Sequence, residues 1–139
     1  MSIVFLISGT LSAFAAVLHI GCIYFGAPWY RFFGAGEEMA VLAEQGSMHP
    51  AFITSVIVIV LSIWSFYAFS AAGVITRLPL LRLALTVITF IYLIRGIAGF
   101  FLINYPMGRS PEFWLWSSLI CLSVGIVHCI GLVQQWKNL

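Results

Sequence analysis

The chain has no aspartate, one lysine and little charge of either sign: six basic and four acidic side chains in 139 residues. Soluble domains carry about a quarter charged residues. At 7% charged and 63% hydrophobic, this sequence cannot clothe a water-facing surface. Disorder requires low hydrophobicity and high charge, and is excluded on both counts. A net charge of +2 without a basic cluster leaves no surface to track phosphates, so nucleic acid is not an expected partner. No CxxC pair exists. Cys22, Cys121 and Cys129 are odd in number and stand in apolar runs, so they read as packing residues rather than a disulfide framework. The polar–apolar alternation of a membrane β-barrel is also missing.

What is present is long apolar sequence, with a mean hydropathy of +1.12. A helix needs about 20 apolar residues to cross a bilayer. Four runs qualify, at about 3–25, 50–73, 83–103 and 113–133. They are separated by Gly26-Ala27-Pro28, by Gly73, and by Asn104-Tyr105-Pro106-Met107-Gly108. Pro50 suits a helix first turn, where its missing N–H costs nothing. Ala13-Phe14-Ala15 resembles a signal-peptide cleavage site, but no basic residue precedes the run and the run continues past it, so no cleavage is expected. The expected fold is an all-α integral membrane protein, a single four-transmembrane-helix bundle.

The 26–49 loop is the longest, and its 36–46 segment reads as a short amphipathic helix. Glu37 and Glu44 share one face, seven residues apart as are Glu38 and Gln45, while Met39, Leu42 and Ala43 take the other face. The segment is expected to cap the outer end of the bundle. Arg77, Arg82 and Lys137 fall on one side, and Arg31, Arg109 and all four glutamates on the other. The positive-inside bias then places both termini in the cytoplasm, as in a bacterial-type inner-membrane protein. Trp29, Tyr30, Tyr105, Trp114 and Trp116 would form an outer aromatic belt, with Trp136 at the inner interface. A faint repeat, His19-Ile20-Gly21 against Arg95-Gly96, is compatible with two tandem helical hairpins.

Membrane helices associate through small and polar residues. Stripes of these occur at Ser8, Ser12, Ala15, His19, Cys22 and Gly26; at Thr89, Tyr92, Gly96 and Gly99; and at Ser117, Cys121, Gly125, His128 and Gly131. The second span is less regular, with Ser55, Ser62 and Ser65. These faces are expected to look inward.

Arg95 is the single charged residue inside a span. Insertion scales put its cost at about 2.5–3.5 kcal/mol, so it should face the interior and have a partner. At about 1.5 Å of rise per residue it starts about 12 Å below the outer end of its helix, and His19 lies at about 8 Å. Glu37 and Glu38 stand above it, and His49 opens the second span. Arg95, His19, Glu37, Glu38 and His49 are therefore the candidate ligand-binding or proton-coupling group. Its plain alternative is a structural ion pair pinning the loop to the bundle. His128, about 22 Å down its own helix, forms a second polar position that cannot join them. A haem held by His19 and His128 would need ligands at one level, and the histidine spacing matches no zinc motif, so no metal or cofactor is expected.

Three function classes fit these residues. One is binding or transport of a small molecule or ion through an outer-half polar pocket, the reading preferred here. The second is a membrane-embedded enzyme on a lipid-soluble substrate, isomerase-like, with histidine and glutamate as acid and base. The third is an accessory or scaffold subunit of a membrane complex. The expected partners are the lipid bilayer, a small-molecule or lipid-like ligand, and a second copy or another membrane subunit.

Overall fold

A computed structural model of the protein describes residues 2–34, 36–105 and 109–139. The chain is all-helical there, with helices α1 (Ile3–Phe25), α2 (Ala27–Phe32), α3 (Glu37–Glu44), α4 (His49–Ala72), α5 (Leu81–Phe101) and α6 (Pro111–Gln135), and a closing 3-10 turn at Trp136–Asn138. Four of them, α1, α4, α5 and α6 with its closing turn, are long and apolar enough to span a membrane. The protein is thus an integral membrane four-helix bundle, as the composition requires. Of the last expected break, Pro106, Met107 and Gly108 lie outside the described residues.

Local chemistry sets the helix ends. Ser2 caps α1, its Oγ accepting the Phe5 N–H at 3.3 Å. Gly26, at φ +75°, turns the chain out of α1. The Ala-Pro pair that follows is not merely a break: Pro28 sits in the first turn of α2, the position where proline favours a helix. Pro50 plays the same part in α4. Gly73 ends α4 in the left-handed conformation at φ +87°, its amide returning to Phe69 and Ser70 carbonyls. Ser110 caps α6 by accepting the Phe113 N–H at 3.1 Å.

α1 packs chiefly on α4, and α5 on α6, so the bundle is two hairpins laid side by side. Thinner seams join α1 to α6 and α4 to α5, leaving α1 and α5 diagonal across the interior. The interior is small and polar: Ser8, Ser12, Ser65, Thr89, Ser118 and His128 are buried. Large apolar side chains such as Phe14, Phe52, Phe90 and Ile94 face outward. This arrangement suits lipid, where close backbone approach and polar contacts drive helix association. At Gly96 a Cβ would stand 2.7 Å from the Leu122 amide nitrogen, so glycine is what lets α5 and α6 touch backbone to backbone.

The expected α1, α5 and α6 stripes turn inward in large part, with Ser8, Ser12, Cys22, Thr89, Tyr92, Gly96, Gly99, Gly125, His128 and Gly131 all buried. Of the α4 serines, Ser65 is buried and Ser55 and Ser62 are not, and the inward face is completed by Thr54, Leu61, Ala68 and Ala72. The aromatic belt needs correction. Tyr30 and Trp114 are buried, Tyr30 donating to or accepting from Thr54 Oγ1 at 2.9 Å. The Tyr30 phenol, buried with Ala40 of α3, finds a polar partner there, and the Trp114 indole is met by the guanidinia of Arg95 and Arg109, contacts that outweigh a preference for the interface. Tyr105 and Trp116 remain exposed.

Candidate functional site

The site is built on the α5–α6 hairpin, near the end of the bundle that carries α3. Arg95 projects from α5 and donates through Nη2 to Ser117 Oγ on α6 at 3.0 Å. Its guanidinium lies 5.0 Å from the ring of Trp114 one turn earlier on α6. Its other terminal nitrogen, Nη1, is buried and meets no acceptor among the described residues. Ser118 Oγ is likewise buried without a partner. Gly99 locates the two atoms relative to each other: a Cβ there would be 1.8 Å from Ser118 Oγ and 2.7 Å from Arg95 Nη1. The missing side chain therefore lets Ser118 Oγ and Arg95 Nη1 pack side by side against the α5 backbone.

A second cation shares the indole. Arg109, at the start of the segment leading into α6, has its guanidinium 5.8 Å from the Trp114 ring and 5.5 Å from that of Phe113. Neither Arg95 nor Arg109 forms an ion pair among the described residues, where the ion pairs are Arg31–Glu37 and Arg31–Glu44. Two guanidinia thus converge on one aromatic ring with no carboxylate bonded to either. Cation–π contact tempers the charge but does not neutralise it.

The glutamates are engaged elsewhere. Arg31 on α2 holds Glu37 through Nη2 at 2.8 Å and through Nε at 3.1 and 3.2 Å, and bonds Glu44 through Nη1. Hydrogen bonds from Arg31 hold both carboxyls below the ordinary carboxylate range, and the same bonds push the guanidinium higher still. The seven-residue spacing that puts Glu37 and Glu44 on one face of α3 is what lets a single arginine take both. Beneath them Ala40 is fully buried against Cys22, Ala27 and Tyr30, so α3 is seated on α2 and the end of α1. Glu38 is exposed on the same helix.

The other candidates are separate. His19, half-buried on α1, has Nδ1 2.7 Å from the Ala15 carbonyl one turn earlier. His49 is exposed at the start of α4, its amide donating to Ser47 Oγ at 3.2 Å. Among the described residues no hydrogen bond or ion pair links Arg95 to His19, His49, Glu37 or Glu38. His128 is fully buried, stacked on Tyr92 at 5.5 Å and edge-on to Phe5 at 6.1 Å, with neither ring nitrogen partnered. No three His, Cys, Asp or Glu side chains gather among the described residues to hold a metal ion.

Sequence reasoning reached Arg95 but not its surroundings. It did not bring Arg109, Trp114, Ser117 and Ser118 to Arg95, where the structure places them. The i, i+3, i+4 spacing of Trp114, Ser117 and Ser118 was a readable signal, since it places all three on one face of α6. Chemically, the arrangement can offer hydrogen bonds and positive charge to a carboxylate, phosphate or carbonyl oxygen at membrane depth. No protein-family model, no curated protein and no solved structure matches this chain.

Proposed function

We propose that this protein binds, and passes across the membrane, a small molecule or ion bearing a negative charge or a carbonyl, with Arg95 as its anchor. One observation carries the reading: Arg95 Nη1 and Ser118 Oγ are both buried, both unpartnered among the described residues, and packed side by side against Gly99. A buried donor without an acceptor costs about 1–3 kcal/mol, more when it is charged. A ligand oxygen brought within hydrogen-bond reach of both groups would remove that cost, so ligand affinity and the unsatisfied donors are two views of one energy. Arg109 stands nearer the end of the bundle and gives the same anion a first cation on its way to Arg95. Ionisable groups within spans mark such pathways. Acid–base catalysis by a histidine–glutamate pair has less support, since His19 bonds its own helix and Glu37 is held by Arg31.

The expected setting is a bacterial-type inner membrane with both termini cytoplasmic. It is supported by Arg77, Arg82 and Lys137 at the end opposite α3. A reporter fused after Leu139 that is active only in the periplasm would refute that orientation.

The test of the site is mass spectrometry of small molecules that co-purify with the wild type, Arg95→Gln and Gly99→Ala. The wild type should retain an anionic or carbonyl compound. Arg95→Gln should lose it, and Gly99→Ala should weaken retention by pushing Ser118 Oγ and Arg95 Nη1 apart while leaving the charge. Wild-type and Arg95→Gln preparations that are equally empty and equally stable would overturn the reading.

A further inference from the structure

The opposite end of the bundle carries a feature that the Arg95 site does not explain. An open cleft of about 790 Å³ lies between the loop entering α5, the first turn and a half of α5, and the tail that follows α6. Arg77, Arg82, Leu80, Leu83, Thr86 and Trp136 are among its lining residues, and no acidic side chain is. Arg82 lies 4.7 Å over the Trp136 ring and donates through Nη2 to the Trp136 carbonyl at 2.9 Å. Arg77 donates to the Asn138 carbonyl at 3.2 Å and to that of Leu139. A guanidinium has five N–H donors, so these bonds fix both groups in place and leave others free.

Cation and apolar surface lie side by side. The arginines sit at the ends of the spans, where lipid headgroups lie. Leu80, just before α5, and Leu83, in its first turn, are 74% and 59% exposed beside them. Leu80 is the sole non-glycine residue with positive φ among the described residues, at +54°. Leucine adopts that conformation at a cost, and such strain collects at ligand sites. It also leaves α5 without a side-chain cap on its first amides.

We propose that this cleft is a headgroup site for an acidic phospholipid, the phosphate meeting Arg77 and Arg82 and the acyl chain lying over Leu80 and Leu83. A soluble anion would use the arginines but would gain nothing from the exposed leucines, and a zwitterionic lipid would use the leucines but bring a cation toward two guanidinia. An acidic lipid satisfies both halves of the cleft.

The experiment is native mass spectrometry of the full chain in detergent, with phosphatidylglycerol, phosphatidylcholine and glycerol phosphate as probes. Arg77→Gln/Arg82→Gln should lose phosphatidylglycerol, but that variant also releases the tail. Leu80→Glu is the cleaner variant: it touches none of the tail hydrogen bonds, and a carboxylate at the start of α5 favours the helix dipole. It should therefore keep the thermal stability of the wild type while weakening phosphatidylglycerol binding about fivefold, the effect of one charge beside an anionic headgroup. Phosphatidylcholine should bind more weakly than phosphatidylglycerol throughout. Equal binding of the two lipids, full retention by Leu80→Glu, or displacement of the lipid by equimolar glycerol phosphate would each overturn the proposal. None of these outcomes bears on ligand retention at Arg95, which is read separately.

Discussion

At the scale of single residues, the bundle interior contains polar atoms that find no partner among the described residues, and these fall in two places. Those at Arg95 and Ser118 are adjacent, packed against Gly99. Those of His128 are enclosed by Phe5 and Tyr92, with both ring nitrogens unpartnered and no exposure at all. A buried polar group without a partner costs about 1–3 kcal/mol, whereas an aromatic contact contributes about 0.5–1.5 kcal/mol. The first effect is the larger. Replacement of His128 by leucine, apolar and similar in volume, should therefore stabilise the protein by about 1 kcal/mol, read as a higher midpoint in thermal or denaturant unfolding in detergent. A lowered midpoint would mean that the imidazole has a hydrogen-bonded role in the fold. The sequence exposed Arg95 and His128 because a charge or an imidazole in a span stands out against apolar neighbours. It did not disclose that Arg31 would take Glu37 and Glu44. That capture depends on how α2 turns back on α3, and residue spacing within one helix carries no information about the turn.

At the scale of elements, the ends of the four spans were legible to within two residues, because bilayer thickness and glycine–proline punctuation both act locally. α2 was not legible. A proline after glycine marks the end of one helix and the first turn of another equally well, and six residues are too few for a periodic signal. α3 was foreseen as an amphipathic cap, and its seating makes a prediction. Glu37 and Glu44 have depressed pKa values in the folded state. A depressed carboxyl contributes stability that is present above its unfolded pKa and is lost as pH falls through the folded value. Hydrogen-exchange protection of the α3 amides, corrected for intrinsic rates, should therefore hold at neutral pH and decline below the ordinary carboxylate range near pH 4.5. Arg31→Gln should have lower protection at neutral pH and a flatter pH dependence. All three groups are solvent-exposed, so high salt should mimic part of the substitution. An unchanged pH profile in Arg31→Gln would show that Ala40 and its neighbours seat the helix without help from the charges.

At the scale of the whole molecule, the question is what makes two hairpins one bundle. The inward stripes told which faces would be buried. They could not tell which stripe meets which, because any two strips of small residues are compatible in lipid, where packing rather than hydrophobicity selects neighbours. The structure answers with dense contact inside each hairpin and thin seams between them. Specific bonds between the two hairpins therefore matter most. One runs diagonally from α1 to α5, Ser12 Oγ to Tyr92 Oη at 2.8 Å, both residues buried. In membrane proteins such bonds average about 0.6 kcal/mol, and a hydroxyl left alone in the interior costs more than the bond is worth. Tyr92→Phe strands the Ser12 hydroxyl, though that hydroxyl can turn to its own helix, and Ser12→Ala strands the phenol, which cannot. Each single variant should lose about 0.5–2 kcal/mol in unfolding, with Ser12→Ala the more damaging. The double variant leaves nothing stranded, so it should be no worse than Ser12→Ala alone. Strict additivity of the two losses would mean that the hydroxyls do not depend on each other, and the hold between the hairpins would then rest on shape alone, on the Phe5 ring laid against Gly131 across the α1–α6 seam.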